Sequence, residues 1–164
     1  MKFFIIIFAI LLFLSGCSRQ NAFLKFNMSE EQELSISNLQ SSKIKIGEEV
    51  NGIFSALYLN EVYPKKNTQN ESFYIYVYLK DKKKRLDLNL LDDKSLTTLK
   101  LNGKMPIEIF ELSNINQFSH LTSIQSEWNR YYMVTFKKEE NKKLNLVFEN
   151  YPFSSVELIY QKGE

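Results

Sequence analysis

The stretch "SFYIYVYLK", residues Ser72 to Lys80, is aliphatic or aromatic at every position between its polar ends. Extended, it separates onto two faces: Phe73, Ile75, Val77 and Leu79 on one, Tyr74, Tyr76 and Tyr78 on the other. Its β-branched and aromatic content favours that extended state. "RYYMVTFKK", Arg130 to Lys138, has the same character. Strands rich in such residues on both faces fit central or doubly covered positions in a sheet, and both stretches are read as such.

Around it the pattern is period two. "KIKI" (Lys43–Ile46), "RLDLNL" (Arg85–Leu90), "IEIFEL" (Ile107–Leu112), "KLNLVFE" (Lys143–Glu149) and "VELIY" (Val156–Tyr160) alternate apolar with polar residues, as half-buried strands do. "EEVNGIFSALYLNEVYP" reads in two ways over residues 48–63. Val50, Ile53, Phe54, Leu57 and Tyr58 lie at helical spacing, whereas Gly52 and the strand-like neighbours favour a strand from Ile53 to Tyr63. Asn102-Gly103 predicts a tight hairpin between "TTLKL" and "KMPIEIF". "KEENKK" (Lys138–Lys143), "YPKKNTQNES" and "KDKKK" read as further hairpin tips. The long connection Ser113–Glu127 predicts a short helix with Phe118, Leu121 and Ile124 turned inward. About eight strands over roughly 120 residues, with no βαβ alternation, predict a mainly β protein: an immunoglobulin-like antiparallel β-sandwich with a short N-terminal helical segment. A Cys-Trp-Cys pattern is lacking, so the expectation concerns architecture and not membership of the antibody family.

Ahead of the strands, "FLKFNMSEEQELSISNLQSS" carries Ser29 with Gln32 three residues on, a capping box that predicts helical turns from Glu30. The chain opens differently. After Lys2, Phe3 to Leu14 is an unbroken run of 12 apolar residues. Spanning a bilayer takes about 20, so this run suits the apolar centre of a secretory signal. It closes on Leu14-Ser15-Gly16-Cys17, with the only cysteine of the chain.

This ending resembles the lipobox of bacterial lipoproteins. The resemblance implies cleavage between Gly16 and Cys17, a diacylglyceryl group on the Cys17 sulfur, and acylation of the new Cys17 amine. Each buried acyl CH₂ contributes about 0.8 kcal/mol, and stable anchoring takes about two chains, which such a residue carries. Ser18 in place of Asp implies passage to the outer membrane, facing the periplasm, where the host has two membranes. The expected organisation is a signal peptide over 1–16, a lipidated tether and helical lead-in over 17–42, and a β-sandwich domain over 43–164.

The 164 residues less the 16 of the signal leave 148, enough for one domain with a real core. Basic and acidic residues number 21 and 19, a near balance that argues against a nucleic-acid partner. Chemistry is sparsely marked. His120 is the only histidine, beside Ser119, and neighbours in sequence do not make a triad. One histidine and a lipidated cysteine are too few for zinc. Asp87, Asn89, Asp92 and Asp93 are oxygen-rich but lack the glycine and the late glutamate of a calcium loop. Glu108 and Glu111 fall on opposite strand faces, and Lys80 to Arg85 reads as a solvated tip. No catalytic residue, metal or cofactor is assigned.

Tyr74, Tyr76 and Tyr78 stand out. Left open, they form an aromatic platform for a sugar, a peptide or another protein. The alternative is that the long connection, or the segment with Phe23 and Phe26, covers them. The expected function is a lipid-anchored, non-enzymatic binding or assembly module of the cell envelope, held to the membrane through Cys17 and meeting an envelope protein partner. Its rivals are a carrier of a small apolar ligand between the sheets and a hydrolase of envelope polymers.

Overall fold

A computed structural model describes residues 27–66, 69–87, 90, 97–123, 125–151 and 155–163. The signal, Gly16, Cys17, Phe23, Phe26, Ile124 and the oxygen-rich residues Asn89, Asp92 and Asp93 lie outside them, as does the Asp87 side chain. Among the described residues the chain is mainly β, with eight antiparallel strands in two sheets. Helix α1 (Glu30–Asn38) leads into β1 (Leu39–Ile46) and β2 (Glu49–Tyr58), and a short turn of helix, α2 (Leu59–Val62), comes next. Then come β3 (Asn70–Leu79), α3 (Lys82–Asp87), β4 (Thr97–Leu101), β5 (Glu108–Leu112), a 3₁₀ turn at Ser119–Leu121, β6 (Asn129–Lys137), β7 (Lys143–Asn150) and β8 (Val156–Gln161). One sheet has the order β1-β2-β3-β6-β5, the other β4-β7-β8.

The faces of β3 separate as the alternation requires. Phe73, Ile75, Val77 and Leu79 enter the core between the sheets with Phe54 and Tyr58 of β2, Tyr132 and Val134 of β6, and Leu146, Phe148 and Tyr160 of the opposite sheet. Phe54 and Phe148 stack across the gap at 4.7 Å. The Tyr160 hydroxyl donates to the carbonyl of Ala56 at 2.7 Å and ties β8 to β2. On the edge, the Gln40 side-chain amide donates to the carbonyl of Ile159 at 2.5 Å and accepts from its N–H at 3.2 Å, so one side chain pairs with β8 as a strand would.

Residues 49–58 settle as strand. Gly52 explains why this segment can pair so closely. A Cβ built there would lie 2.3 Å from the Tyr78 carbonyl oxygen and 2.8 Å from Leu79 Cδ2. The last residues of the same stretch are not strand but α2, because Asn60 turns to bond β3: its amide donates to the Asn70 carbonyl at 2.7 Å and its oxygen accepts from Ser72 N–H at 2.9 Å.

Four further sequence expectations are corrected. Residues 82–87 are helical where "KDKKK" and "RLDLNL" predicted a tip and a strand. The Asp81 carboxylate accepts from the N–H groups of Lys83 (2.9 Å) and Lys84 (3.2 Å), a helix cap that overrides the short alternation. Asn102-Gly103 does form a tight turn, with φ of 47° and 79°, and Leu101 and Lys104 exchange two backbone bonds of 2.9 Å. The pairing stops there, since Pro106 has no N–H to give, and the chain crosses to β5 in the other sheet. "KEENKK" likewise is no hairpin tip: it joins β6 in one sheet to β7 in the other. Its Glu139 is 5 % exposed and bonds inward to Lys104 at 2.7 Å. The capping box is as read, with Ser29 and Gln32 bonded reciprocally.

Where the sheets meet at one end, Glu71 is 0 % exposed. Its carboxylate accepts from Lys162 Nζ (2.7 Å), Tyr58 Oη (2.5 Å), the Glu139 N–H (3.0 Å) and Asn60 Nδ2 (3.3 Å). Burial raises its pKa, but the bonds from Lys162, Tyr58 and Glu139 outweigh burial and hold it below the ordinary 4.5. Burial, then Glu71, pushes the Tyr58 hydroxyl up.

Urea unfolding reads both features. Gly52→Ala destabilises by about 1–3 kcal/mol, because the methyl group has backbone in its way. Glu71→Gln destabilises by about 3 kcal/mol or more at neutral pH, as a broken buried pair does. A depressed carboxylate pKa gives stability that is complete above the unfolded value and lost as pH falls through the folded one. The gap between wild type and Glu71→Gln therefore narrows on titration from pH 7 to about pH 3, and a constant gap would show that the Glu71 charge contributes nothing.

Candidate functional site

The outer face of the five-stranded sheet is also apolar, and strand pairing arranges it in rows. One row is Leu39, Leu57, Tyr74, Met133 and Phe110; the next is Ser41, Ser55, Tyr76, Tyr131 and Leu112; the third is Lys43, Ile53, Tyr78 and Asn129. The first row is roofed by α1, α2 and the 3₁₀ turn. Phe118 lies 5.2 Å from the Tyr74 ring, and Leu121 packs in the same cluster. The roof is bonded on: Ser35 Oγ donates to the Leu121 carbonyl at 2.6 Å, Gln32 Nε2 to the His120 carbonyl at 3.1 Å, and Asn116 Nδ2 to Tyr74 Oη at 3.3 Å.

The three tyrosines of β3 therefore do not form one open platform. Tyr74 is 1 % exposed beneath the roof and Tyr76 4 % exposed at its margin, while Tyr78 is half-buried. The long connection covers the first ring because Phe118 and Leu121 need that apolar surface as much as the ring needs a cover. Burial pushes the Tyr74 hydroxyl up to about 12, against the opposing bond from Asn116.

Beyond the roof the face opens into a groove of about 580 Å³, lined by Ser41, Ile53, Ser55, Tyr76, Tyr78, Ser126, Trp128 and Asn129. Its depth comes from the second row, where two serines stand beside large rings. Their hydroxyls bond each other at 2.8 Å. The far wall is the turn 126–129, fixed by Tyr131: its hydroxyl accepts from the Ser126 N–H at 2.8 Å and donates to the Ser126 carbonyl at 3.0 Å. Asn129 Nδ2 reaches the same hydroxyl at 3.3 Å. Trp128 projects from this wall, 59 % exposed. At the floor, the buried Tyr76 hydroxyl has no hydrogen-bond partner among the described residues. Burial raises its pKa; the Ser55 hydroxyl, close by but bonded to Ser41 and not in hydrogen-bonding geometry with Tyr76, pulls it part of the way back.

Of the residues singled out in the sequence, the groove brings together Tyr76 and Tyr78 only. Ser41, Ile53, Ser55, Ser126, Trp128 and Asn129 were not anticipated. Pairing "GIFSALY" with "FYIYVYL" sets Ile53 against Tyr78 and Ser55 against Tyr76, which is the signal that would have found two of them. The other marked residues lie elsewhere. His120 is exposed, with Nε2 3.1 Å from Tyr63 Oη. Glu111 forms two bonds of 2.7 Å to Arg130, and Glu108 sits on the opposite face. Lys80 pairs with Glu49 at 2.8 Å. Among the described residues no group of three histidine, cysteine or acidic side chains is placed to hold a metal ion. The groove thus offers hydroxyls, an amide and aromatic surface, the equipment of non-covalent recognition.

The two tyrosine hydroxyls of the second row separate by mutation. Tyr76→Phe leaves urea stability unchanged or raises it by up to about 1 kcal/mol, since an unpartnered buried hydroxyl is removed. Tyr131→Phe lowers it by about 1–2 kcal/mol, since Ser126 loses its anchor. Equal losses for both would mean that Tyr76 is bonded in solution.

Comparison with protein-family models, with curated proteins and with solved structures finds no match for this chain.

Proposed function

We propose that the protein is a lipid-anchored, extracytoplasmic binding module of the bacterial cell envelope, with the groove beside Tyr76 and Trp128 as its working site. The observation that carries the binding role is that groove: open, without a charged side chain in its lining, and with a buried hydroxyl at its floor that lacks a partner among the described residues. The anchor rests on Leu14-Ser15-Gly16-Cys17 after an apolar run of signal length. Ser18 supports an outer-membrane address facing the periplasm in a two-membrane host. Residues 1–16 act as the signal and the segment from Cys17 to α1 as the tether and lead-in to the sandwich, which begins with β1 at Leu39.

The sandwich is of immunoglobulin-like type in this reading. Numbering β2 to β8 as strands A to G turns the observed orders into A-B-E-D facing C-F-G, the constant-type arrangement, with β1 added at the A edge. Sandwiches of this class serve widely as recognition modules, and the analogy is one of fold alone. A carrier of an apolar ligand between the sheets is less favoured, because stacked and edge-on rings fill that space. A hydrolase is less favoured because no carboxylate or imidazole lines the groove.

The anchor is tested by mass analysis of the mature N-terminal peptide and by membrane fractionation of Cys17→Ser. The expected peptide begins at an acylated Cys17, and the variant leaves the membrane-anchored fraction. A chain still beginning at Met1, or an unmodified Cys17, overturns the assignment.

A further inference from the structure

The groove is more selective than a generic apolar depression. Six of its eight lining residues end in a hydroxyl or an amide: Ser41, Ser55, Tyr76, Tyr78, Ser126 and Asn129. None of the eight carries a charge, so an ionic ligand finds no counter-charge in the lining. The polar groups sit among apolar and aromatic surface, with Ile53 43 % and Trp128 59 % exposed. An acyl chain laid here would cover those hydroxyls without bonding them, which is unfavourable for each one buried. Two of them are poised to exchange partners. The Ser41 and Ser55 hydroxyls satisfy each other at 2.8 Å with either as donor. The Tyr76 hydroxyl, 4 % exposed, has no partner among the described residues.

We propose that the groove binds a neutral saccharide. The assignment rests on the binding-module reading and names its ligand class. A sugar ring presents an apolar C–H face to aromatic side chains and hydroxyls around its rim, matching Trp128 and Tyr78 on one count and the serines on the other. The exposed Ser41 turns from Ser55 to bond the ligand, and the opening of that pair uncovers the buried Tyr76 hydroxyl, which then donates to a ring hydroxyl or acetamido carbonyl. The volume, about 580 Å³, lies within the range of small-molecule sites. The rigid wall held by Tyr131 keeps the Trp128 turn in place without the ligand, which lowers the ordering cost of binding.

The chain carries one tryptophan, and it is in the groove, so its emission reports the site directly. The full chain in phosphatidylcholine vesicles is titrated with N,N′,N″-triacetylchitotriose, with maltotriose and with cyclohexanol, a six-membered ring with a single hydroxyl. The expected result is a saturable change in Trp128 emission with at least one of the sugars. Tyr76→Phe, with its circular dichroism unchanged, weakens that binding by about tenfold, the loss of roughly one good hydrogen bond. Ser55→Leu, which fills the dip, abolishes it. No saturable response to either sugar up to about 20 mM, where even millimolar affinity would register, overturns the ligand class. If cyclohexanol alone saturates, the saccharide assignment falls and the binding module stands; if all three fail, the groove as working site falls too. Sugar binding that survives both Tyr76→Phe and Ser55→Leu overturns the site.

Discussion

A carboxylate that keeps its charge out of water constrains everything bonded to it. Glu71, the second residue of β3, is fully buried, and an ion so placed is tolerated only when its oxygens are bonded. Its donors come from four separate parts of the chain: the end of β2, the α2 turn, the corner between β6 and β7, and the tail after β8. None of these can drift without uncovering a charge. The two sheets are thereby pinned at one end, and the corner that carries Glu139 folds inward rather than out. Lys104 and Asn102 extend the same polar seam to the turn after β4.

The second constraint is the double apolarity of β3. One face builds the core between the sheets, and the other demands a cover that a two-layer sandwich does not supply. Helix α1 and the long connection before β6 provide it, but only over the row of Tyr74. They meet Leu39, Leu57 and Met133 there, and they stop at the row of serines, where there is little apolar surface to gain. The groove is what is left where the cover ends. Its floor and its roof therefore share one cause.

How far the fold was legible depends on locality. The faces of β3, the Ser29–Gln32 box and the Asn102-Gly103 turn are written within a few residues, and each reads correctly. The path of the chain beyond that turn depends on Pro106 and on Asn145, whose backbone exchanges bonds with the Asn102 main chain and side chain across 43 residues. The pattern "RLDLNL" misled because a single Asp81 oxygen, capping two N–H groups, outweighs a brief alternation. "KEENKK" misled because its charge looks like solvent exposure, whereas Glu139 is consumed by partners distant in sequence. The groove was invisible for a plainer reason. Its residues come from β1, β2, β3 and the turn into β6, and only the strand order makes them neighbours. Glu71 gave no signal at all, since a glutamate at the head of a strand is ordinarily wet.

The crossings between sheets also carry a kinetic consequence. The chain passes from one sheet to the other three times among the described strands, after β3, after β4 and after β6. The central pair, β3 with β6, joins residues separated by two of those passages. Folds built on such distant pairings assemble in about milliseconds to seconds, because loops must close before their contacts are rewarded. The capped helix α1 and the β1–β2 hairpin are local and can form first. Until β6 arrives, β3 has apolar side chains on both faces and one open edge, the most adhesive state the chain visits. Tyr131 travels with β6, so the wall that carries Trp128 is set only when that edge closes. The groove is completed by the same event that ends the period of greatest aggregation risk.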